Sequence, residues 1–293
     1  MIIQTGYLGS ATLYDTSIRC TDFSVNVIQT PLFYDHYIGL RDSIPTALFE
    51  VKSDIGNRNP QKIIWRGSTK IVQGGLSFPW VDSGLGLFWT EARTGSSFDM
   101  DFNYTCGIGR SYTGCKVNSY SLKASAGEII NTSLDIIGTH AEEKNDEEAP
   151  LIDRNDKLVS WDAVSITVTN EESKSDELTS NLAYVEFNVA NNCIPIFTMG
   201  GNKKSAGGEA VNYLEPFDIR VGIQVVTGTL AYYHTKSLAW LENANIASVI
   251  SFKIGEWEQN LNVVFNPQQQ NSAMGPIIRT VQFTGVDDAL PDA

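Results

Sequence analysis

An internal repeat constrains the fold of this chain more than any other feature of its sequence. Residues 65–78 (WRGSTKIVQGGLSF) align without a gap on residues 219–232 (IRVGIQVVTGTLAY), at a constant offset of 154 (219 minus 65). The two segments alternate in the same phase, and Gly74 falls on Gly228. Because alternation of apolar and polar residues is typical of a half-buried strand, we predict that one β-unit occurs twice.

A second pair of segments repeats in the same order. Residues 22–33 (DFSVNVIQTPLF) resemble residues 186–197 (EFNVANNCIPIF), at an offset of 164 (186 minus 22). The ten-residue difference between the two offsets falls in the connection, where duplicated domains usually diverge. We predict a first domain over residues 1–140, an acidic linker or surface loop over 141–158 and a second domain over 159–293.

Length and charge limit the classes of function that are open to the chain. Its 293 residues are enough for two ordinary domains of about 140 residues each. The net charge is -13, with 34 acidic residues against 21 basic ones. Binding to a phosphate backbone depends on clustered Lys and Arg, so this balance disfavours a nucleic-acid-binding protein.

Targeting and cysteine signals are weak. The start MIIQTGYLGSAT lacks the pattern of a signal peptide, and no run of eighteen apolar residues occurs, so we expect neither signal-dependent secretion nor a membrane span. The four cysteines lack CxxC spacing in a chain large enough to fold unaided, so free buried thiols are expected. They are Cys20, Cys106, Cys115 and Cys193.

Periodicity along the chain is mostly that of β-strands. Short runs rich in Val, Ile, Thr and aromatic residues are bounded by Gly, Asn and Asp. We predict strands in residues 116–124, 128–138, 163–170, 183–191, 219–233, 260–265 and 277–285. Helical spacing occurs over residues 82–93 and 236–250, directly after each copy of the repeated strand. The predicted fold is mainly β (α+β), with two tandem domains that each carry one short helix.

Signals for catalysis or metal binding are poor. The glycine-rich residues 107–114 lead into a strand pattern, so a β-turn is expected, and residues 199–208 lack Walker spacing, so a mobile loop is expected. The histidines His36, His140 and His234 have no nucleophile or second ligand near them in sequence. The carboxylate pairs Asp99 with Asp101 and Glu171 with Glu172 lack EF-hand spacing and are expected to be solvated. No catalytic, cofactor-binding or metal-binding residue is predicted, and no cofactor.

Six tryptophans are the remaining candidate feature. They could form a platform on which sugars stack, or they could fill a large β-core or a subunit interface. They are Trp65, Trp80, Trp89, Trp161, Trp240 and Trp257.

The ordered strand segments resemble those of a known family. Residues 114–138 (GCKVNSYSLKASAGEIINTSLDIIG) look like the strand, hairpin and strand of a bacteriophage tail tube protein. Residues 160–170, 187–201 and 215–230 follow the strand order and turn chemistry of the same family. The second repeat lacks a clear copy of the GC-x-V start of the first.

This resemblance implies tube-like β-sandwich or barrel domains that form a ring. Tube domains place small sheets edge to edge, so that the ring closes a continuous β-barrel without exposed edge strands. At about four strands per domain, six domains give about 24 strands and a backbone barrel ~48 Å across, with a bore of ~38 Å. Three chains would supply the six domains. In the alternative, six chains each use one repeat for the bore and the other as decoration or a sheath contact.

The function implied by the resemblance is structural rather than enzymatic. Stacked rings would form the conduit of a virion tail, made in the host cytoplasm, with a tape-measure protein in the lumen and DNA passing without specific binding. A sheath, tail terminator or baseplate proteins would be further partners, and no membrane is involved. An acidic bore would repel DNA. Alternatives are another tail component, such as a terminator, distal tail or hub protein, or a carbohydrate-binding β-protein.

Overall fold

A computed structural model describes eleven stretches of the chain, and most of their residues are in strands. The stretches are residues 9–13, 16–31, 49–52, 62–65, 67–104, 109–144, 157–170, 175–198, 214–233, 247–266 and 278–285. The strands of the N-terminal half are β1 (Gly9–Leu13), β2 (Thr16–Arg19), β3 (Asp22–Phe23), β4 (Asn26–Pro31), β5 (Phe49–Lys52), β6 (Lys62–Trp65), β7 (Gly67–Pro79), β8 (Phe98–Tyr104), β9 (Gly109–Ser125), β10 (Asn131–Gly138) and β11 (His140–Lys144). Those of the C-terminal half are β12 (Val164–Asn170), β13 (Ser175–Glu177), β14 (Leu182–Ala190), β15 (Ile194–Ile196), β16 (Asp218–Arg220), β17 (Val225–Tyr233), β18 (Ala247–Ile254), β19 (Trp257–Asn266) and β20 (Ile278–Gly285). Every segment predicted as a strand lies largely in one of these elements.

The strands of the two halves pair in the same order. The N-terminal ladder reads β2-β1-β8-β9-β10-β7-β4, with the short β3 preceding β4 along the same side of β7. The C-terminal ladder reads β13-β12-β18-β19-β20-β17-β14. We number the ladder strands along the chain within each half, count β3 and β4 as one strand, and leave out β11 and the small hairpins β5–β6 and β15–β16. Both ladders then have the order second, first, fifth, sixth, seventh, fourth and third strand. Each half also places a small separate hairpin, β5–β6 or β15–β16, between its third and fourth strands.

Buried residues match when the two ladders are aligned strand by strand. The matched positions lie on the first, fifth, sixth and seventh strands and on, or directly after, the second strand, and every residue is almost completely buried. The pairs are Ala11 and Ile166, Ile18 and Leu178, Phe102 and Phe252, Val117 and Phe265, and Ile136 and Phe283. The same topological positions therefore supply the core of both halves.

The repeated glycines lie at equivalent places in the fourth strands, β7 and β17. A Cβ added at Gly74 would lie 2.5 Å from the backbone oxygen of Ser24, and one added at Gly228 would lie 2.5 Å from that of Glu186. Glu186 lies in β14, and Ser24 lies between β3 and β4 on the corresponding side of β7. In each half this backbone passes so close to the glycine that a side chain there would collide with it.

The second sequence alignment differs from the ladders by two residues. Val27 pairs with Val72, and Val189 pairs with Val226. The fourth strands thus keep the offset of 154 (226 minus 72), whereas the third strands correspond at 162 (189 minus 27), not 164. A shift of two residues keeps every side chain on its face of the sheet, so the sequence pattern alone could not detect it.

Each ladder folds over onto itself as a two-layer sandwich. The rings of Phe23 and Phe102 stack with centroids 3.4 Å apart, and those of Phe187 and Phe252 lie 4.4 Å apart. Both contacts join the third and fifth strands of one half, which are separated by three strands in the ladder. Such contacts require two facing layers with the core between them. Within the described residues the ladders remain open and do not close into a barrel.

The helical predictions are only partly confirmed. Residues 82–93 contain a 3-10 turn (Asp82–Gly84) and the short helix α1 (Trp89–Thr94), rather than one helix. Residues 247–250 of the second predicted helix are wrong, because they belong to β18, whose buried and partly exposed residues alternate. Residues 236–246 of that prediction lie outside the described residues.

Two loop predictions also need correction. Residues 109–114, predicted as part of a β-turn, lie inside β9, where Gly114 has φ +59° and donates its N–H to Asp99 at 2.8 Å. Residues 141–144 of the predicted acidic linker form part of β11, which pairs with the first part of β9. Residues 199–208 lie outside the described residues. No helix among the described residues is long and apolar enough to cross a membrane.

Candidate assembly surface

Eight strands from both halves form one continuous ladder. Its order is β19-β20-β17-β14-β9-β10-β7-β4. Each half contributes its sixth, seventh, fourth and third strands, which gives four strands per half. These eight strands form the inner layer of the two sandwiches, and the core covers one of its faces.

The two halves are joined within this ladder by β14 and β9. The first part of β9 (residues 109–115) pairs with β8, and beyond the end of β8 the last part (residues 119–125) pairs with residues 184–190 of β14. The third strand of the C-terminal half thus occupies the edge of the sixth strand of the N-terminal half. We call this pairing the internal joint.

The uncovered face of the inner layer carries rows of small polar side chains. One row crosses six neighbouring strands, since each residue pairs with the next across the ladder. It consists of Ser77, Ser133, Ser121, Asn188, Thr227 and Thr284. A parallel row consists of Asn131, Lys123, Glu186, Thr229, Gln282 and Asn266. A shallow groove of ≈ 340 Å³ opens at the centre of this face, which we call the polar face.

Few charges lie on the polar face. The two rows and the row beside them contain one cation, Lys123, and three carboxylates, Glu186, Asp135 and Asp22, of which Asp22 extends the first row onto β3. Lys123 and Glu186 pair directly across the internal joint. The Tyr184 hydroxyl donates to Glu186, and the ammonium of Lys123 lies 5.5 Å from the Tyr184 ring centroid. Burial, together with the Glu186 carboxylate, raises the pKa of Tyr184. The net charge of -13 is therefore carried mainly by other parts of the chain, and this face is polar rather than strongly acidic.

A buried amide fixes the internal joint to the helix. Asn191 follows β14 and donates from Nδ2 to the carbonyl oxygens of Ala92 and Val117, both at 2.8 Å. Gln224 donates from Nε2 to Oδ1 of Asn191 at 2.7 Å and to the carbonyl oxygen of Arg93 at 3.0 Å. Side chains of the C-terminal half thus satisfy the last carbonyls of α1 in the N-terminal half. Such a network holds the two halves in one geometry.

Exposed large apolar residues concentrate at the two ends of the inner strands. One set lies where β14 ends and β17 begins, and we call it the first rim: Ile194, Phe197, Phe217, Ile223 and Val225. The opposite end of the inner layer, where β17 ends and β10 and β20 begin, carries the second rim: Ile129, Leu158, Trp161, Tyr233 and Ile278. A cavity of ≈ 160 Å³ lined by Trp161 and Leu182 opens at the second rim. Exposed large apolar side chains grouped at one end of a sheet are a candidate protein interface.

The described candidates for catalysis have structural partners. Nδ1 of His140 lies 3.0 Å from both carboxylate oxygens of Glu215. Asp101 accepts from Ser111 Oγ at 2.5 Å and from Lys144 Nζ at 2.9 Å. His36, His234, Glu171 and Glu172 lie outside the described residues. Within the described part of the chain, no three His, Cys, Asp or Glu side chains are grouped so that they could hold a metal ion.

Three of the tryptophans belong to the core rather than to a sugar platform. Trp80 and Trp89 are buried, and both rings make edge contacts with Trp257, at centroid distances of 5.1 and 5.5 Å. The Trp80 indole donates to Thr132 Oγ1 at 2.6 Å. Trp161 lies on the second rim and is 47% exposed, whereas the side chains of Trp65 and Trp240 lie outside the described residues.

The described cysteines are free thiols, as predicted. Cys20 and Cys115 are buried, and Cys193 is partly exposed. Burial raises the pKa of Cys20 to about 12 and that of Cys115 further. Such thiols are inert at neutral pH, since the thiolate is the reactive form. Cys106 lies outside the described residues.

Comparison with family models identifies the chain. Residues 21–285 match the model described as phage tail tube protein, which spans both halves and the whole inner layer. The chain belongs to the phage tail tube protein family. It is accordingly a structural protein of the virion tail, in a family that is generally non-enzymatic. A search of curated proteins found no match.

The sequence anticipated the family and the strands but not the assembly surface. The polar rows depend on the register between six strands, and a register can be read only once the strands are paired. The rims bring together residues from distant loops. In the sequence, the available signal for the rims was the occurrence of large apolar residues beside Gly and Pro in those loops.

Proposed function

We propose that this chain is the repeating subunit of the tail tube, and that its stacked rings form the conduit through which the genome leaves the particle. The observation that carries this proposal is the eight-strand inner layer, with a polar face on one side and an unfilled edge at β4. Among the described residues β4 pairs only with β7. An open edge of this kind needs a partner strand to avoid uncontrolled association.

We further propose that the chain is a tandem duplication with domains at 1–140 and 159–293, and that three chains make one ring. The shared strand order and the matched core positions support the duplication. Three chains with eight inner strands each give 24 strands, which is the wall expected for six tube domains and a bore of ~38 Å. Six chains would place 48 strands in the wall if both halves took part.

The polar face suits the wall of a DNA conduit. Rows of hydroxyl and amide groups stay hydrated, and the single cation of these rows, Lys123, is outnumbered by carboxylates, so the face offers no cluster of cations that would hold phosphates. A tape-measure protein could occupy the same lumen before the DNA enters. A bore lined by this face would be weakly acidic, so the passage of DNA would depend more on the scarcity of cations than on strong repulsion.

Apolar rims at opposite ends of the strands suit ring stacking. The first rim of one ring would meet the second rim of the next, so that a single contact repeats along the tube. A sheath, terminator or baseplate protein would then meet only the outer layer or the terminal rims.

Electron microscopy of the purified chain at high concentration tests the proposal. We expect hollow tubes whose rings contain three chains, and labelled antibody should bind along the full length of the virion tail. A terminator or distal tail protein would give single rings and label only at one end of the tail. A chain that stays monomeric and is absent from tails would refute the proposed function.

A further inference from the structure

A rigid turn presents an uncovered isoleucine on the first rim. Ile223 is 77% exposed, the largest exposure of any large apolar residue in the described part of the chain. Its carbonyl oxygen accepts from Nδ2 of Asn192 at 2.8 Å, and the N–H of Gly222 donates to the carbonyl oxygen of Asn191 at 2.9 Å. On the other side, Gln224 is bonded to Oδ1 of the buried Asn191. Because the turn is anchored on both sides, covering Ile223 would cost little conformational entropy.

The cavity at the second rim is suited to an apolar side chain. Most of its lining is apolar: Ala124, Ala126, Trp161, Val164, Leu182 and Ala183. An apolar cavity of about 150 Å³ can hold a molecule of the size of benzene, so ≈ 160 Å³ is enough for the side chain of one isoleucine.

Polar groups in the lining of this cavity already have partners within the chain. Oγ1 of Thr179 accepts from the Ile166 N–H at 3.2 Å, and the Tyr184 hydroxyl donates to Glu186. Asp162 accepts a hydrogen bond from the Ser160 hydroxyl. A sugar or another polar ligand would lose its own hydration there without replacing it, whereas an apolar side chain has no such cost.

Ile223 and the cavity lie at opposite ends of the same two strands. β17 begins two residues after Ile223, and Leu182 at the start of β14 pairs with Tyr232 near the end of β17. Leu182 and Tyr184 belong to the lining of the cavity. When one chain carries two complementary surfaces at opposite ends, their contact is heterologous and propagates as a filament.

The charges beside the two surfaces favour the same contact. Two exposed carboxylates lie beside the cavity: Asp162 and Glu128. Beside Ile223, the exposed Arg220 and the guanidinium of Arg93, which bonds to the side chain of the next residue after Ile223, outnumber the carboxylate of Asp218. Opposite charges at the edge of a contact orient the partners more than they add affinity.

We propose that Ile223 of a chain in one ring enters the cavity beside Trp161 in a chain of the next ring. Each chain then gives one isoleucine and receives another, so that the same contact repeats along the tube. This inference rests on the proposed tube function and names the side chains that hold successive rings together.

Substitutions on the two sides of the contact test this pairing in the full-length chain. Ile223→Ala removes the inserted side chain, and Ala126→Phe fills the cavity from its exposed lining. Each variant should keep its rings in size-exclusion chromatography with light scattering. The concentration at which tubes appear in sedimentation should rise at least about tenfold, because burial of an isoleucine is lost. Asn260→Phe places the same ring on the outer layer and should assemble like wild type.

The combined variant separates a direct contact from a general effect at the rims. A small side chain facing a filled cavity restores the fit, so Ile223→Ala with Ala126→Phe should form tubes at a lower concentration than Ala126→Phe alone. If Ile223→Ala assembles like wild type, or if the combined variant assembles no better than Ala126→Phe, the contact is wrong and wild-type tubes still support the tube function. If the wild-type chain forms neither rings nor tubes, the tube function fails, and the contact with it.

Discussion

The missing side chain at Gly228 makes room for a ring of the core. A Cβ there would lie 2.0 Å from Cζ of Phe283 and 2.5 Å from the backbone oxygen of Glu186. Because one of these atoms is backbone, a side chain cannot be accommodated by a rotamer change alone. We expect Gly228→Ala to lower the free energy of unfolding by about 1–3 kcal/mol, measured by urea denaturation. Thr229→Ala, on the polar face of the same strand, should change it by less than about 0.5 kcal/mol.

Asp101 gives the outer layer a residue-scale pH dependence. Burial raises its pKa, but the hydrogen bonds from Ser111 and Lys144 outweigh this effect, so the pKa lies below its ordinary value. A carboxylate with a lowered folded-state pKa stabilises the fold above the unfolded pKa of about 3.9, and the stabilisation is lost as pH falls through the folded value. We expect wild type to exceed Asp101→Asn in stability by no more than about 1 kcal/mol near pH 7, since the pair is partly exposed. Denaturation below pH 4 should show a smaller difference in stability between wild type and Asp101→Asn. A difference that grows below pH 4 would contradict a lowered pKa for Asp101.

At the scale of elements, β4 pairs with β7 along one edge, and its other edge is the proposed contact with a neighbouring chain. The Ser24 N–H donates to the Gly75 carbonyl oxygen at 2.8 Å, so by alternation the N–H of Val27 points away from β7. Val27→Pro therefore removes no hydrogen bond between β4 and β7. We expect the variant to keep its circular dichroism spectrum and melting temperature but to form no rings in size-exclusion chromatography with light scattering. Ile28→Pro is the contrasting variant, because its N–H faces β7 and its loss should destabilise the fold by ~3 kcal/mol. Rings of Val27→Pro that match wild type would count against β4 as a contact strand.

Elements also show where sequence reasoning succeeds and fails. Strands such as β10 and β17 are predictable because a polar face and a buried face alternate along them. The run at β18 is ambiguous, since short apolar runs satisfy helical and strand spacing, and pairing with β12 and β19 decides the outcome. In β8, Phe98, Met100 and Phe102 are buried and alternate with Asp99 and Asp101. The sequence pattern was taken to predict only that these aspartates are solvated, and no strand is assigned there, although the alternation typical of a strand is present.

For the whole molecule, the two rims predict how rings stack. Ile223 on the first rim is 77% exposed, although an isoleucine gains by burial. A lysine there would place a charge in the ring-to-ring contact, so Ile223→Lys should leave rings intact while abolishing long tubes. Negative-stain microscopy and sedimentation velocity would show this directly. Asn260→Lys, at an exposed position of β19, is the matched control and should form tubes of normal length.

The internal joint also affects how fast such a ring can nucleate. In a three-chain ring, each chain brings one joint already made when it folds and forms one more with its neighbour, so half of the contacts are intramolecular. A covalent tether replaces a bimolecular encounter with a fixed local concentration. The rate of ring nucleation would then rise with at most the third power of subunit concentration, instead of the sixth power for single-domain subunits. A fused pair of domains therefore lets rings begin at subunit concentrations where separate domains would remain dispersed.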